Sequence, residues 1–219
     1  MRDTIVFDLD GTLVDSAPDL AHSLNHALGL NGATALGVEA VKGMVGDGMA
    51  KLFERAVQES DQTLSESGFE AAYGAFERHY MQNAVTDTVL YPGTEKVLDA
   101  LIKHGLTLAV CTNKLEPIAQ YMLEALGVAD RFAVILGGQA GRPRKPDPAP
   151  LYEILNKLDS SPERAAMIGD SEIDLGTARA ASIPFVLATF GYSRSGPDLN
   201  ADVRIDEMSD LPRALASLE

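Results

Sequence analysis

Short apolar runs alternate with longer amphipathic segments along most of the chain. The runs are too short for helices and are bounded by turn residues, which indicates buried strands. These strands are predicted from Ile5 onward and over 106–111, 132–136, 165–168, 184–188 and, as a last edge strand, 203–205. Helical periodicity covers the segments 94–104, 116–126, 151–158, 171–181 and 211–218. This alternation predicts βαβ units, and therefore an α/β fold with a doubly wound parallel sheet in a Rossmann-like core.

One long stretch between the first two predicted strands interrupts the alternation. An amphipathic helix is expected over 18–30, and residues 38–80 look almost wholly helical, with apolar side chains in two stripes at helical spacing. An all-helical stretch at this point indicates an insertion into the sheet domain. We therefore expect a catalytic core formed by 1–16 and 86–219, and an inserted helical cap domain over 17–85.

Composition and charge restrict the partners more than the fold. The chain has 219 residues, of which 46% are hydrophobic and 23% charged, as is ordinary for a globular protein. Its formal net charge of −14 argues against nucleic acid or an anionic membrane surface as the main partner. An anionic substrate would need local positive charge from a metal, a few basic side chains or helix N-termini.

The cellular compartment follows from three simpler observations. A single cysteine, Cys111, cannot form an intrachain disulfide and fits a reducing compartment. The first strand begins almost at Met1, so no signal peptide is expected, and no apolar run reaches the roughly 18 residues that span a bilayer. We expect a cytoplasmic protein, and the sequence leaves both a monomer and a homodimer open.

The first predicted strand ends abruptly in two acids, Asp8 and Asp10, followed by Gly11. Functional residues of parallel sheets lie at the carboxyl ends of the strands. Two carboxylates at such a point suit Mg²⁺, and Gly11 permits a backbone that turns amide N–H groups toward an anion. A calcium loop is a poor alternative, because no third acid precedes Gly11 and no glutamate closes a twelve-residue loop.

Other polar residues follow later strands, and each has an ordinary structural explanation when taken alone. Thr112 could cap a helix, Lys145 could be a solvated lysine, and Asp170 and Asp174 could begin a helix. In a parallel sheet, however, all of these positions lie at the same edge as Asp8. Carboxylates, a hydroxyl, an ammonium and an acidic metal site at one edge together form an apparatus for phosphoryl transfer.

These residues form four motifs that resemble those of the haloacid dehalogenase-like hydrolase superfamily. In chain order the motifs are Asp8-Leu9-Asp10-Gly11-Thr12, then Thr112, then Lys145-Pro146, then Gly169-Asp170-Ser171-Glu172-Ile173-Asp174. The predicted insertion after the first motif is that of the subclass with a helical cap. Further stretches, among them Thr112-Asn113-Lys114 and Met44-Val45-Gly46-Asp47-Gly48, resemble phosphoglycolate phosphatases within that subclass.

The resemblance implies a role for each motif residue. Asp8 would attack phosphorus and form an aspartyl-phosphate, and Asp10 would protonate the leaving alcohol and then activate water. Thr112 and Lys145 would complete the catalytic group by binding the phosphoryl oxygens. The implied Mg²⁺ ligands are Asp8, the main-chain carbonyl of Asp10, and Asp170, with Asp174 supporting the metal shell. The implied substrate-binding positions are Gly11, Thr12, Asn113, Gly46 and Arg55.

The expected substrate is a small phosphorylated metabolite, because a helical cap would close over the site. Gly46-Asp47-Gly48, with Lys51 or Arg55, is the best candidate for receiving a substrate carboxylate, which favours 2-phosphoglycolate. Asp10 together with Thr12 favours a phosphatase over the dehalogenases and mutases of the superfamily. A pyrophosphatase or a sugar-phosphate phosphatase or mutase of the same fold stays open. A non-enzymatic phospho-acceptor signalling domain is the remaining alternative, disfavoured because the strand before Thr112 ends without an acid.

Overall fold

The first strand lies near the centre of a parallel sheet. The structure is a computed structural model that describes residues 2–193 and 199–218. The strands are β1 (Thr4–Phe7), β2 (Val14–Asp15), β3 (Val89–Leu90), β4 (Thr107–Leu115), β5 (Val134–Gly138), β6 (Ala165–Gly169), β7 (Phe185–Ala188) and β8 (Val203–Ile205). Within the described residues the main sheet has the order β5-β4-β1-β6-β7-β8, and every neighbouring pair is parallel. The predicted α/β fold with a Rossmann-like sheet is confirmed.

Helices cover both faces of this sheet. They are α1 (Ala17–Gly29), α2 (Val38–Lys42), α3 (Met49–Glu59), α4 (Glu66–Asn83), α5 (Thr94–Lys103), α6 (Glu116–Ala125), α7 (Ala149–Lys157), α8 (Glu172–Ala180) and α9 (Leu211–Ala216). Side chains of a strand alternate between the faces of a sheet, so Ile5 and Phe7 join one apolar cluster and Val6 joins another. The first cluster contains residues of α5, α6 and α9, and the second contains residues of α7 and α8.

The register of the central strands brings the candidate residues to one level. Phe7 pairs with Val110 on one side and with Ile168 on the other. The residues that follow these three, from Asp8 onward on β1, therefore leave the sheet at the same edge. The chain runs outward from β1 to β5 and then crosses back to β6, so this edge is also where the strand order reverses.

The predicted helical stretch over 38–80 is wrong in detail, because it consists of three helices with breaks at 43–48 and 60–65. Gly46 and Gly48 have φ angles of 127° and 88°, which L side chains rarely adopt and which end helical geometry there. Ser65 then caps α4, because its hydroxyl accepts the amide hydrogen of Gly68. Strand β4 also extends past the predicted end at Cys111, with an irregularity in its pairing between Cys111 and Leu115.

The sequence did not predict the antiparallel ribbon formed by β2 and β3, in which Val14 pairs with Leu90 and Asp15 with Val89. Strands of two residues are too short to show an alternating pattern. The ribbon joins the two points where the chain leaves the sheet for α1 and returns from α4. Among the described residues no helix is both long and apolar enough to cross a membrane.

Candidate active site

A cavity lies at the carboxyl ends of β1, β4 and β6, and the segment from α1 to α4 contributes its opposite wall. Six predicted residues from four distant stretches of chain line its floor: Asp8, Asp10, Thr112, Lys145, Asp170 and Asp174. Gly46, Arg55 and Asn113 also line it. The structure thus brings together nearly all the predicted site residues.

Gly11 and Thr12 are the exceptions, since neither belongs to the cavity lining. Gly11 has a φ of 85°, and a Cβ atom there would lie 2.3 Å from Asp170 Oδ2. Glycine is therefore needed so that the Asp170 carboxylate can approach the β1 loop. Thr12 is fully buried, and its Oγ1 has no hydrogen-bond partner among the described residues. Both residues shape the loop beneath the cavity.

Lys145 connects two of the acids. Its Nζ lies 2.7 Å from Asp8 Oδ1 and 2.6 Å from Asp174 Oδ1, and all three side chains are buried. Burial alone would lower the pKa of Lys145, but Asp174 and Asp8 outweigh this and hold it above its usual range. Lys145 is therefore a permanent cation beside Asp8.

The acids at this edge are short of positive charge. Burial and the neighbouring Asp174 raise the pKa of Asp8 to about 7, although Lys145 opposes the shift. Burial, Asp174 and Asp8 also raise the pKa of Asp170 well above its usual range. Carboxylate oxygens of Asp8, Asp170 and Asp174 lie within 4.8 Å of one another. A cluster of hard oxygen donors with unbalanced negative charge fits a divalent cation such as Mg²⁺.

Asp174 is engaged at both oxygens. Oδ1 accepts from Lys145 Nζ, while Oδ2 accepts from Ser171 N at 3.1 Å and from Ser171 Oγ at 2.6 Å. Ser171 Oγ in turn accepts from the Asp174 amide, which completes a capping box at the start of α8. The structural explanation of Asp174 as a helix-start residue is thus correct, and the same carboxylate also fixes Lys145.

Asn113 links the Lys145 loop to the segment opposite. Its amide Nδ2 donates to the carbonyls of Gly46 (2.9 Å) and Lys145 (3.0 Å), and its Oδ1 accepts from the Lys145 amide (3.0 Å). Arg55 is likewise occupied, because it pairs with Asp47 and donates to the Met44 carbonyl at 2.8 Å. The side chains of Asn113 and Arg55 therefore hold the walls of the cavity in place.

Asp10 has partners that the sequence did not indicate as functional. Its Oδ1 accepts from Lys114 Nζ at 2.8 Å and from Ser16 Oγ at 2.5 Å. Lys114 Nζ also donates to Tyr80 Oη at 2.6 Å and lies 4.8 Å from the centre of its ring. Tyr80 belongs to an apolar stripe of α4, where aromatic residues indicate core packing. Lys114 belongs to the stretch Thr112-Asn113-Lys114 that resembles phosphoglycolate phosphatases, but nothing in the sequence indicated its contact with Asp10.

Tyr192 is a further unpredicted residue in the lining. Its amide donates to Asp170 Oδ2 at 2.5 Å, and its hydroxyl donates to Asp15 Oδ1 at 2.7 Å while accepting from the Ser16 amide at 2.7 Å. Tyr192, in the loop after β7, thus connects the acid that follows β6 with the start of α1. No pattern in the sequence marks this role, since it depends on a loop that folds across the sheet edge.

Comparison with known proteins agrees with this geometry. The family model for haloacid dehalogenase-like hydrolases matches residues 5–188. A phosphoglycolate phosphatase of Rhodospirillum rubrum is 40% identical over 202 residues, which cover 89% of this chain and 82% of the relative. One from Agrobacterium fabrum is 38% identical, with 96% and 91% covered. The crystal structure of a predicted phosphoglycolate phosphatase from Haemophilus somnus superposes with a TM-score of 0.92 at 34% identity, covering 97% of each chain.

The chain therefore belongs to the haloacid dehalogenase-like hydrolase family. Within this family its relatives and its site together define it as a phosphoric monoester hydrolase.

Proposed function

We propose that the protein hydrolyses 2-phosphoglycolate in an Mg²⁺-dependent reaction that passes through an aspartyl-phosphate on Asp8. The observation that carries this proposal is the convergence of Asp8, Asp10, Thr112, Lys145 and Asp170 on one cavity. The names of the relatives at 36–40% identity support the choice of substrate.

Asp8 is the proposed nucleophile because it leaves the centre of the sheet at the floor of the cavity. Its amide donates to the Ile168 carbonyl at 2.9 Å, which anchors the backbone just before the reacting carboxylate. The carboxylate forms a bond to phosphorus while the bond from phosphorus to the ester oxygen breaks. Water then attacks the same phosphorus atom, which releases phosphate and restores the carboxylate of Asp8.

Asp10 is the proposed acid and base. It gives a proton to the leaving ester oxygen in the first displacement and accepts one from the attacking water in the second. Hydrogen bonds from Lys114 and Ser16 to a single oxygen, Oδ1, fix the orientation of this carboxyl group. The two acids thus receive separate roles from their separate partners, since Lys145 contacts Asp8 and Lys114 contacts Asp10.

Asp8, the main-chain carbonyl of Asp10, and Asp170 are the proposed ligands of Mg²⁺. The ion supplies charge neutralisation for the phosphoryl group and for the acids around it. We assign Asp174 a supporting role, because both of its oxygens are already engaged by Lys145 and Ser171. Thr112 and Lys145 bind the phosphoryl oxygens in this proposal and keep phosphorus in line with Asp8.

The segment over 17–85 acts as a cap domain in this proposal, with 1–16 and 86–219 as the catalytic core. Gly46, Leu52 and Tyr80 from that segment line the cavity directly opposite the acids. A wall of this kind excludes bulk water from the phosphoryl group and limits the size of the leaving group. A pyrophosphatase or a sugar-phosphate phosphatase would share the floor of the site and differ in this wall.

A phosphate-release panel tests the proposal. We would compare kcat/KM for 2-phosphoglycolate, pyrophosphate, β-glucose 1-phosphate and a nucleoside monophosphate, with Mg²⁺ present and then chelated. We expect 2-phosphoglycolate to be the best substrate and chelation to abolish turnover. A tenfold preference for any other compound would refute the substrate, and full activity in excess chelator would refute the metal requirement.

A further inference from the structure

We infer that Lys114, held by Tyr80, is the residue that recognises the substrate's carboxylate and so selects the leaving group. This inference rests on the proposed function and deepens it. It replaces the sequence-based choice of Arg55 or Lys51 on α3 with a buried cation that contacts the catalytic acid Asp10.

The first argument is availability. Among the described residues, three cationic side chains line the cavity: Arg55, Lys114 and Lys145. Lys145 lies between Asp8 and Asp174, and the proposed function already assigns it to the phosphoryl oxygens. Arg55 is paired with Asp47 and its side chain is 40% exposed, so solvent screens its charge. Lys114 is 3% exposed at its side chain, which makes its charge far more effective toward a bound anion.

The second argument is the hydrogen-bonding capacity of Lys114. An ammonium group has three hydrogens to donate, and the structure assigns two of them, to Asp10 Oδ1 and to Tyr80 Oη. One donor is left for a ligand in the cavity that Lys114 lines. The ion pair of 2.8 Å with Asp10 Oδ1 fixes the ammonium group beside this acid.

The third argument is distance along the substrate. The ester oxygen must lie about 2.6–3.2 Å from the carboxyl group of Asp10 that protonates it. In 2-phosphoglycolate a single methylene separates this oxygen from the carboxylate, so a carboxylate oxygen lies about 3 Å from the ester oxygen. Lys114 Nζ is 2.8 Å from Asp10 Oδ1. When the ester oxygen of 2-phosphoglycolate lies beside Asp10, its carboxylate is therefore within reach of Lys114 Nζ.

Tyr80 connects this recognition to the helical segment. It comes from α4, is fully buried, and accepts from Lys114 Nζ at 2.6 Å. The ammonium group of Lys114 is thereby held by two partners, Asp10 from the sheet edge and Tyr80 from α4. A fixed ammonium loses little entropy when it binds, which favours a short substrate of one defined length.

The experiment compares two substrates of similar size in several variants. The measured quantity is kcat/KM for 2-phosphoglycolate divided by kcat/KM for ethyl phosphate, which lacks the carboxylate. We expect this ratio to fall at least tenfold in Lys114→Met and to stay within about twofold of wild type in Arg55→Met. The control is Lys157→Met, at an exposed lysine on α7 paired with Glu153, and it should change nothing. Thermal unfolding of each variant shows whether it is folded.

The outcomes separate the alternatives. If Lys114→Met lowers kcat/KM by the same factor for 2-phosphoglycolate and for ethyl phosphate, Lys114 acts only through Asp10 and the inference is wrong. It is equally wrong if Arg55→Met removes the preference instead. If wild type prefers ethyl phosphate from the start, the proposed function itself fails before any variant is compared.

A wild-type measurement tests the inference independently of the folding of any variant. A substrate whose carboxylate lies one methylene further from the ester oxygen should have at least tenfold lower kcat/KM than 2-phosphoglycolate. Equal values for the two compounds would contradict a fixed lysine next to Asp10.

Discussion

At the scale of single residues, the site is a balance of buried charge. Two lysines each neutralise particular acids: Lys145 contacts Asp8 and Asp174, and Lys114 contacts Asp10. Within the described part of the chain no lysine or arginine forms an ion pair with Asp170, which is held instead by the amide of Tyr192. Buried carboxylates without a cation are costly, so Asp170 is the acid with the most to gain from a bound metal.

Two conservative substitutions test whether Asp170 contributes more than Asp174 to metal binding. We expect Asp174→Asn to weaken Mg²⁺ binding about tenfold, as is typical when a residue that orients a ligand is changed. Asp170→Asn should weaken it by at least another factor of ten, because a direct ligand and its charge are lost. Isothermal titration calorimetry measures both dissociation constants. Equal weakening in the two variants would show that Asp174 binds the metal as directly as Asp170.

Much of the candidate site could be predicted at this scale, and the reason is local. Asp8 and Asp170 each follow an apolar strand directly, and Thr112 follows the apolar run 108–111 within β4, so these positions and their residue chemistry were sufficient. Lys114 and Tyr80 could not be assigned in the same way. Their roles depend on which residue of α4 faces which residue of β4, and that is a property of packing between distant segments.

At the scale of secondary structure elements, one carboxylate ties the helical segment to the sheet domain. Asp19, in the first turn of α1 and 1% exposed, accepts hydrogen bonds from the backbone amides of Thr86, Asp87 and Thr88. It also accepts from Thr88 Oγ1 at 2.7 Å. These contacts join the start of the segment 17–85 to the chain just after its end, next to the β2–β3 ribbon.

Removing this charge should destabilise the protein. Hydrogen bonds to a charged group contribute about 1.5–3 kcal/mol, so we expect Asp19→Asn to lower stability by about 2 kcal/mol and Tm by about 4–8 °C. Asp130→Asn is the matched control, because the side chain of Asp130 is 86% exposed. Differential scanning calorimetry measures the Tm of both variants. An equal decrease in Tm relative to wild type in Asp19→Asn and Asp130→Asn would contradict this role of Asp19.

The elements also show where sequence reasoning ended. The strands and helices around the sheet could be predicted because their apolar periods are long and bounded by glycine or proline. The break at 60–65 could not, because it contains no glycine or proline, whereas Gly46-Asp47-Gly48 is a helix-start signal that the structure places directly before α3. Residues 17–85 as a separate cap domain stay a prediction.

At the scale of the whole molecule, stability is coupled to pH through the buried acids. The pKa of Asp8 is about 7 in the folded protein against 3.8 when unperturbed. Its contribution to stability is therefore fully present below pH 4 and is lost as pH rises through 7. In metal-free protein, the Tm of Asp8→Asn minus that of wild type should become more positive between pH 5 and pH 8.

Between pH 5 and pH 8 we expect the difference in stability between Asp8→Asn and wild type to change by at least about 1 kcal/mol, which corresponds to about 2–4 °C in Tm. Comparing the variant with wild type at each pH removes the effect of titrating groups that do not interact with Asp8. Added Mg²⁺ should stabilise wild type more at pH 8 than at pH 5, because the ion competes with protons for the same oxygens. A difference that does not depend on pH would contradict the raised pKa of Asp8.

The central claim is that Asp8 carries the phosphoryl group during turnover. Its most direct test is an acid quench of the enzyme a few milliseconds after mixing with 2-phosphoglycolate labelled in its phosphate, followed by peptide mapping. The account predicts label on the peptide that contains Asp8, none in Asp8→Asn, and loss of the label on a chase with unlabelled substrate. Full turnover by Asp8→Asn, or label on another residue, would contradict it.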